Sequence, residues 1–285
     1  MAIHNLKKFV RSETTPGRLR VQPRDAALIR DLASFRFLNT AQILALHAGS
    51  KAHFQHRLTL LYQLGYVDRP EGQKAFNLPS DHIIYSLGKE GAKLAFPDER
   101  DRKLWARRNA KISSPNLKHA LMISQFRIVL ILAIKNRGWK LPRWLQGYDL
   151  KDALVFKGKP PAVVPDAFFR LDVGDGYFNF FLEADRSTMN HHRFLAKMRA
   201  YWKNFLDKTY SDWLGSNQFR VLTIADTEGR KENLCATSKE ADTNKTGSRL
   251  FLFACEKDYS LQNPEAVLEA IWASPKDTSK HSFLE

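Results

Sequence analysis

Residues 165–185 read PDAFFRLDVGDGYFNFFLEAD. Two β-rich runs flank Gly174-Asp175-Gly176, a pattern that predicts a hairpin with strands over 165–172 and 178–185. Strand side chains alternate, so Glu183 and Asp185 share a face. Antiparallel pairing sets Asp166, at the start of the first strand, beside the end of the second. Three carboxylates at one sheet end repel one another unless a cation neutralises them. Oxygen donors suit Mg²⁺ or Mn²⁺, ions that activate water and stabilise charge on a phosphate. Lys197, on a helix expected over 190–209, is the candidate point charge for a phosphate or an attacking water. The candidate catalytic residues are therefore Asp166, Glu183, Asp185 and Lys197, with the three acids as metal ligands. A second arrangement stays open, in which Asp185 caps the following helix and Arg186 neutralises the acids.

Around this hairpin the pattern is that of a mixed α/β domain spanning 116–285. Apolar residues recur at helical spacing over 116–137, ending at Asn136-Arg137-Gly138. Strands are expected over 150–156, 219–225 and 249–255, and a closing helix over 264–273. The order is α-β-β-β-α-β followed by α-β-α.

The preceding chain reads differently. Residues 1–22 form a polar, basic arm. Pro23 suits a first helical turn, and Leu28, Leu32 and Phe35 carry the apolar face of a helix over 24–35. Thr40 is the expected cap of a short helix, and Gly49-Ser50 ends it. A third helix runs over 51–64, with Phe54, Leu58 and Leu61 inward and Gly65 as its stop. Runs at 66–69 and 83–87 predict a hairpin, and a last short helix follows over 89–96. Three helices and a hairpin give a winged helix-turn-helix domain over 23–97. Its third helix would lie in the major groove of double-stranded DNA. Lys51, His53, Gln55, His56 and Arg57 would face bases or phosphates, and Arg69 and Lys74 on the hairpin would follow the backbone. Residues 98–115, dense in charge and ending in Ser-Ser-Pro, read as a linker.

Composition agrees. The chain has 285 residues and a net charge of +15. Residues 1–115 hold 20 Lys+Arg against 10 Asp+Glu, and the remainder 25 against 20, so the positive excess gathers toward the first domain. A basic excess favours polyanions, and without a basic amphipathic helix nucleic acid leads over membrane. No apolar run is expected to reach the ~18 residues that span a bilayer, so the expectation is a cytoplasmic protein. Cys235 and Cys255 form no C-x-x-C pair and read as reduced thiols. There is no G-x-S-x-G turn and no G-x-x-x-x-G-K-[ST] loop, which argues against serine-triad hydrolysis and ATP-driven action.

Pro165-Asp166, followed 17 residues after the aspartate by Glu183-x-Asp185 between two helices, resembles the PD-(D/E)xK nuclease family. That resemblance implies a metal-dependent centre. Two departures stand out. Asp185 occupies the usual lysine position, leaving Lys197 as a migrated substitute, and residues 116–137 contain no glutamate, with His119 and Gln125 the nearest polar candidates. Over about Arg24 to Tyr201 the chain also resembles the replication-relaxation proteins of plasmids and other mobile elements. The resemblance is carried by RDAALIRDLASFRFLNTAQILAL, RLTLLYQLGYVDR, YSLGKEGAKL, LKHALMISQFRIVL, PDAFFRL and FLEADRST…KMRAY. It implies DNA handling in plasmid replication, conjugative transfer or their control. Independently of it, relaxase or replication proteins are candidate partners, and a homodimer is expected where a winged helix reads a palindrome. Three readings stay open: a DNA-binding accessory protein whose nuclease-like domain does not cut, an active Mg²⁺-dependent DNA endonuclease, and an adaptor that docks a relaxase or replication initiator.

Overall fold

The computed structural model describes residues 8–12, 20–47, 49–76, 82–109, 112–155, 158, 160–187 and 189–285. Much of the arm expected over 1–22, including Arg18, lies outside them, as do Lys111, Phe156 and Thr188. The chain divides into two compact units, residues 1–125 and 126–285.

The first unit opens with α1 (Pro23–Phe35), whose Asp25 carboxylate accepts from the Gln22 backbone N–H at 2.7 Å. β1 (Leu38–Asn39) leads into α2 (Thr40–Leu46). The cap of α2 is Asn39 rather than the expected Thr40. Asn39 accepts from Gln42 N at 2.9 Å, and Gln42 Oε1 accepts from Asn39 N at 3.0 Å, a reciprocal capping box. The Thr40 hydroxyl instead donates to Ile83 O. α3 (Lys51–Gln63) starts at its Ser50 cap, and Gly65 follows in the left-handed region (φ 75°), where glycine lacks the steric penalty. β2 (Val67–Asp68), a 3₁₀ turn over Glu71–Phe76, β3 (Ile84–Leu87) and α4 (Lys89–Ala95) complete the expected order. The antiparallel sheet has the order β1-β3-β2. This is a winged helix-turn-helix arrangement, packed on Leu28, Leu32, Ile43, Phe54, Leu58 and Leu61, all buried. Each such side chain contributes about 2 kcal/mol of burial. Gly91 of the YSLGKEGAKL segment has a local reason: an added Cβ would collide with Tyr66 O, because α4 packs directly on the turn after α3.

The expected linker is not a linker over most of its length. Residues Glu99–Asn109 form α5. Acids in its first turn and Arg107 and Arg108 in its last match the helix dipole, and Glu99 pairs with Lys103 at 2.7 Å across one turn. Charge density that reads as solvated linker is here the pattern of a surface helix. α6 (Ser114–Lys135) follows. By length and composition it could cross a membrane, contrary to the expectation of no such run. More than half of its most apolar window is buried in the fold, however, including Leu117, Phe126 and Leu130, as expected of a core helix.

The second unit is built on a seven-stranded sheet, order β10-β9-β8-β7-β6-β5-β4. The strand expected over 150–156 is displaced: β4 is Lys140–Gln146, and Gly147–Ala153 is a helix, α7. Pro142 obscures β4 in the sequence. It is tolerated because β4 is an edge strand whose register shifts between Lys140 and Arg143. β5 (Ala167–Asp172) and β6 (Tyr177–Asp185) form the expected hairpin, with Ala167 opposite Leu182. α8 (His191–Leu206), capped by Asn190, and the short α9 (Ser211–Leu214) lead to β7 (Arg220–Ala225), which pairs parallel to β6. α10 (Glu228–Ser238) connects to β8 (Phe251–Cys255), parallel to β7. The expected closing helix is only a 3₁₀ turn, Pro264–Leu268, followed by β9 (Trp272–Ala273) and β10 (Lys280–His281). Period-two alternation gives the sheet two apolar faces. Phe168 and Phe181 pack with Phe194, Met198 and Tyr201 of α8, while Phe169 and Phe180 join an aromatic cluster with Phe126 and Phe283.

Candidate functional site

In the first unit, α3 presents its N-terminal turn and outer face. Lys51, His53 and His56 are exposed and Gln55 is half-buried. Arg57 is different. Its guanidinium donates to both carboxylate oxygens of Asp25, at 2.8 Å from Nε to Oδ1, and also to Arg20 O. Asp25 is buried, and the hydrogen bond to it raises the Arg57 pKa. Arg57 therefore ties α3 to α1 instead of facing outward as expected. Arg69 is corrected in the same way. It is 7% exposed. Its guanidinium lies 4.2 Å from the Tyr62 ring centroid and 5.4 Å from that of Tyr85, and it donates to Lys8 O. Lys74 stays exposed on the 3₁₀ turn, paired with Glu71 at 2.6 Å. Residues 77–81, in the segment before β3, lie outside the described residues.

In the second unit the hairpin register sets Asp166 beside Glu183, with Asp185 two residues further along the same strand. Asp166 N donates to Leu182 O, and the Asp166 carboxylate accepts from Ala184 N at 2.8 Å, so Asp166 closes the ladder beside Glu183. Glu183 is buried, with both oxygens engaged: Tyr201 donates its hydroxyl to Oε1 at 2.5 Å, and Lys197 donates to Oε2. Lys197 and Tyr201 stand four residues apart on α8, on one helical face. Burial pushes the Glu183 carboxyl up to about 7; the Lys197 charge opposes this and the Asp166 charge adds to it. Burial alone would lower Lys197, but the charges of Glu183 and Asp166 more than offset it and hold the amine above its ordinary value.

Asp185 has a partner that no local pattern announces. Arg230, in the first turn of α10, donates from Nε to Oδ1 at 2.7 Å and from Nη2 to Oδ2 at 2.9 Å. Arg230 also donates to Met189 O, and Ser187 N donates to Asp185 Oδ1 at 2.8 Å. Arg186 is 3.7 Å from Glu256, not paired with Asp185 or Glu183. Sequence reasoning did not single out Tyr201 or Arg230: Tyr201 is one of several aromatics at helical spacing on α8, and Arg230 lies 45 positions from its partner.

These residues do not fit a divalent cation as they stand. All four oxygens of Glu183 and Asp185 already accept from protein donors, two of which are cations. Among the described residues no group of three His, Cys, Asp or Glu side chains is disposed to hold a metal ion.

The fold and the site define a class: a helical unit with a three-stranded antiparallel sheet in the winged helix-turn-helix order, followed by an α/β unit whose hairpin acids meet a lysine and a tyrosine of one helix. A family model described as replication-relaxation matches residues 29–219, more than half of the chain. The protein belongs to the replication-relaxation family. None of the curated proteins matches it. Among solved structures it is similar to the restriction endonuclease FokI at 12% identity with a TM-score of 0.32, a likeness too low to carry an argument. It covers 86% of this chain and 43% of that one, so the chain spans less than half of that structure's length.

Proposed function

We propose that this protein binds duplex DNA as an accessory to the replication or conjugative transfer of a plasmid or other mobile element, and that its nuclease-like unit does not cut. The observation that carries the DNA-binding reading is the face of α3. In a winged helix this is the helix that enters the major groove, and here its first turns expose Lys51, His53 and His56. The surrounding excess of Lys and Arg supplies the long-range attraction that phosphate binding requires. Arg57 and Arg69 serve the reading indirectly, by fixing the helix and the strands that carry the contacting face. In the second unit the engaged oxygens of Glu183 and Asp185 favour a binding or scaffolding role over Mg²⁺-dependent cleavage. The family supports a place in replication; relaxase or initiator partners and a homodimer on palindromic sites belong to the proposal.

The test is titration of supercoiled plasmid with the full chain, with and without Mg²⁺, scored for mobility shift and for nicking. The proposal expects a shift under both conditions and no nicking. Absence of a shift at low salt overturns the DNA reading. Mg²⁺-dependent nicking that disappears in Glu183→Ala overturns the non-cutting reading and establishes the endonuclease alternative.

A further inference from the structure

We infer that a hollow between α4, α5 and the β2–β3 hairpin of the first unit is a second nucleic-acid site, one that takes a single strand rather than a duplex. It lies on a different surface from the exposed residues of α3. The hollow has a volume of about 960 Å³, and its wall carries seven Lys and Arg against three Asp and Glu. Three of these cations have no carboxylate partner among the described residues. Arg69 donates to Lys8 O, Arg102 donates to the carbonyls of Phe96 and Pro97, and Lys89 is exposed at the start of α4. Like charges gathered on one concave wall repel, and a polyanion relieves that repulsion. The wall is part of the fold. Arg36 donates to Asn109 Oδ1 at 2.6 Å and so ties the end of α5 to the end of α1, while Ser114 donates to Gly72 O at 2.6 Å.

Aromatic rings decide between single and double strands. Trp105, half-buried on α5, and Phe9 line the same wall as the cations, and Lys74 lies 5.6 Å from the Phe9 ring centroid. A duplex keeps its bases stacked inside and offers a concave wall little but phosphate. Unpaired bases can enter a hollow and stack on a ring while cations follow the phosphates. The volume suits a ligand of nucleotide size or larger. Past Lys103 the positive charge continues along α5 as Arg100 and Arg107, which line an adjoining hollow of about 400 Å³ that shares Glu99 and Lys103 with the first. A strand whose bases occupy the larger hollow therefore has a track for its backbone. An acidic peptide would match the charge but leave the rings without a role.

The experiment uses the full chain and a labelled oligothymidylate of about twelve nucleotides, with binding read by fluorescence anisotropy and folding by thermal melts of the same samples. Wild type is expected to bind the oligonucleotide. Trp105→Leu, which removes the ring and no charge, should weaken that binding at least about fivefold with duplex affinity unchanged. Lys89→Glu/Lys103→Glu, at two exposed positions, should weaken it at least about tenfold and make its salt slope shallower by about 1.4. Lys51→Ala/His56→Ala, on α3, should bind the oligonucleotide as wild type does. The inference is overturned if wild type does not bind it, if either folded variant of the hollow binds it as tightly as wild type, or if the α3 variant loses it, since the strand then lies on α3. Displacement of the oligonucleotide by oligoglutamate of equal charge also overturns it, in favour of an acidic peptide. Loss confined to the variants of the hollow upholds it whether or not wild type shifts duplex, so this inference and the duplex reading fail separately. If Trp105→Leu does not melt cooperatively, the lysine pair and the oligoglutamate competition decide.

Discussion

Replacing Arg57 by alanine separates a residue that holds the fold from one that reads DNA. The change removes the guanidinium from Asp25, which is buried and accepts two hydrogen bonds from it. Breaking a buried pair from one side costs about 3–5 kcal/mol, because the remaining charge is left uncompensated. Asp25 keeps the Gln22 N–H at 2.7 Å, which places the expected loss near the lower end, about 3 kcal/mol. For a unit of this size that is a fall of roughly 10 °C in melting temperature. Asp25→Asn/Arg57→Met, which removes both charges, should recover most of the loss. The assay is urea denaturation followed by tyrosine and tryptophan fluorescence, with duplex affinity measured on the folded fraction. The expected result is a large stability loss with affinity within about twofold of wild type. Unchanged stability with a tenfold loss of affinity refutes the reasoning and returns Arg57 to the DNA-contacting set.

Tyr201→Phe removes one of the two donors to the Glu183 carboxylate and should cost about 1–3 kcal/mol in denaturation of the second unit; a change under about 0.5 kcal/mol would show that the hydroxyl carries no weight. Glu183 also predicts a pH dependence. Its folded pKa of about 7 lies above the ordinary 4.5, so the folded state holds the proton more tightly. Stability should be highest below the ordinary value, decline as pH rises between the two values and level off above about 7, by up to about 3 kcal/mol in all; Glu183→Gln should flatten the profile, and a profile with the same slope in the variant contradicts the assignment. Arg69→Leu should lower the stability of the first unit by about 2 kcal/mol through loss of its contacts with Tyr62 and Tyr85, while duplex affinity per folded molecule stays the same.

The hairpin of the second unit was legible because two β-rich apolar runs flank a glycine turn, and the pairing that sets Asp166 beside Glu183 follows from that register. The winged helix was legible in its helices and in the Tyr66–Leu87 region, but not in β1, whose two residues are too few to make a pattern. β4 was hidden by Pro142, and α5 by a charge content that suits solvent as well as a helix surface. The roles of Arg57, Arg69 and Arg230 were not legible at all. In a sequence each is one more basic residue. What distinguishes them is a buried carboxylate or a tyrosine pair brought up by tertiary packing, 32 residues away for Arg57 and 45 for Arg230, and no local period records such a partner.

The proposed DNA binding rests on the outer face of α3. Its most direct test is the salt dependence of duplex affinity for wild type and for Lys51→Ala/His56→Ala, with stability checked in parallel. Each phosphate neutralised contributes about −0.9 to the slope of log affinity against log salt. The wild-type slope should be steeper than about −3, and the variant should lose at least about tenfold in affinity with stability within about 0.5 kcal/mol. A flat salt response, or a stable variant that binds as tightly as wild type, contradicts it.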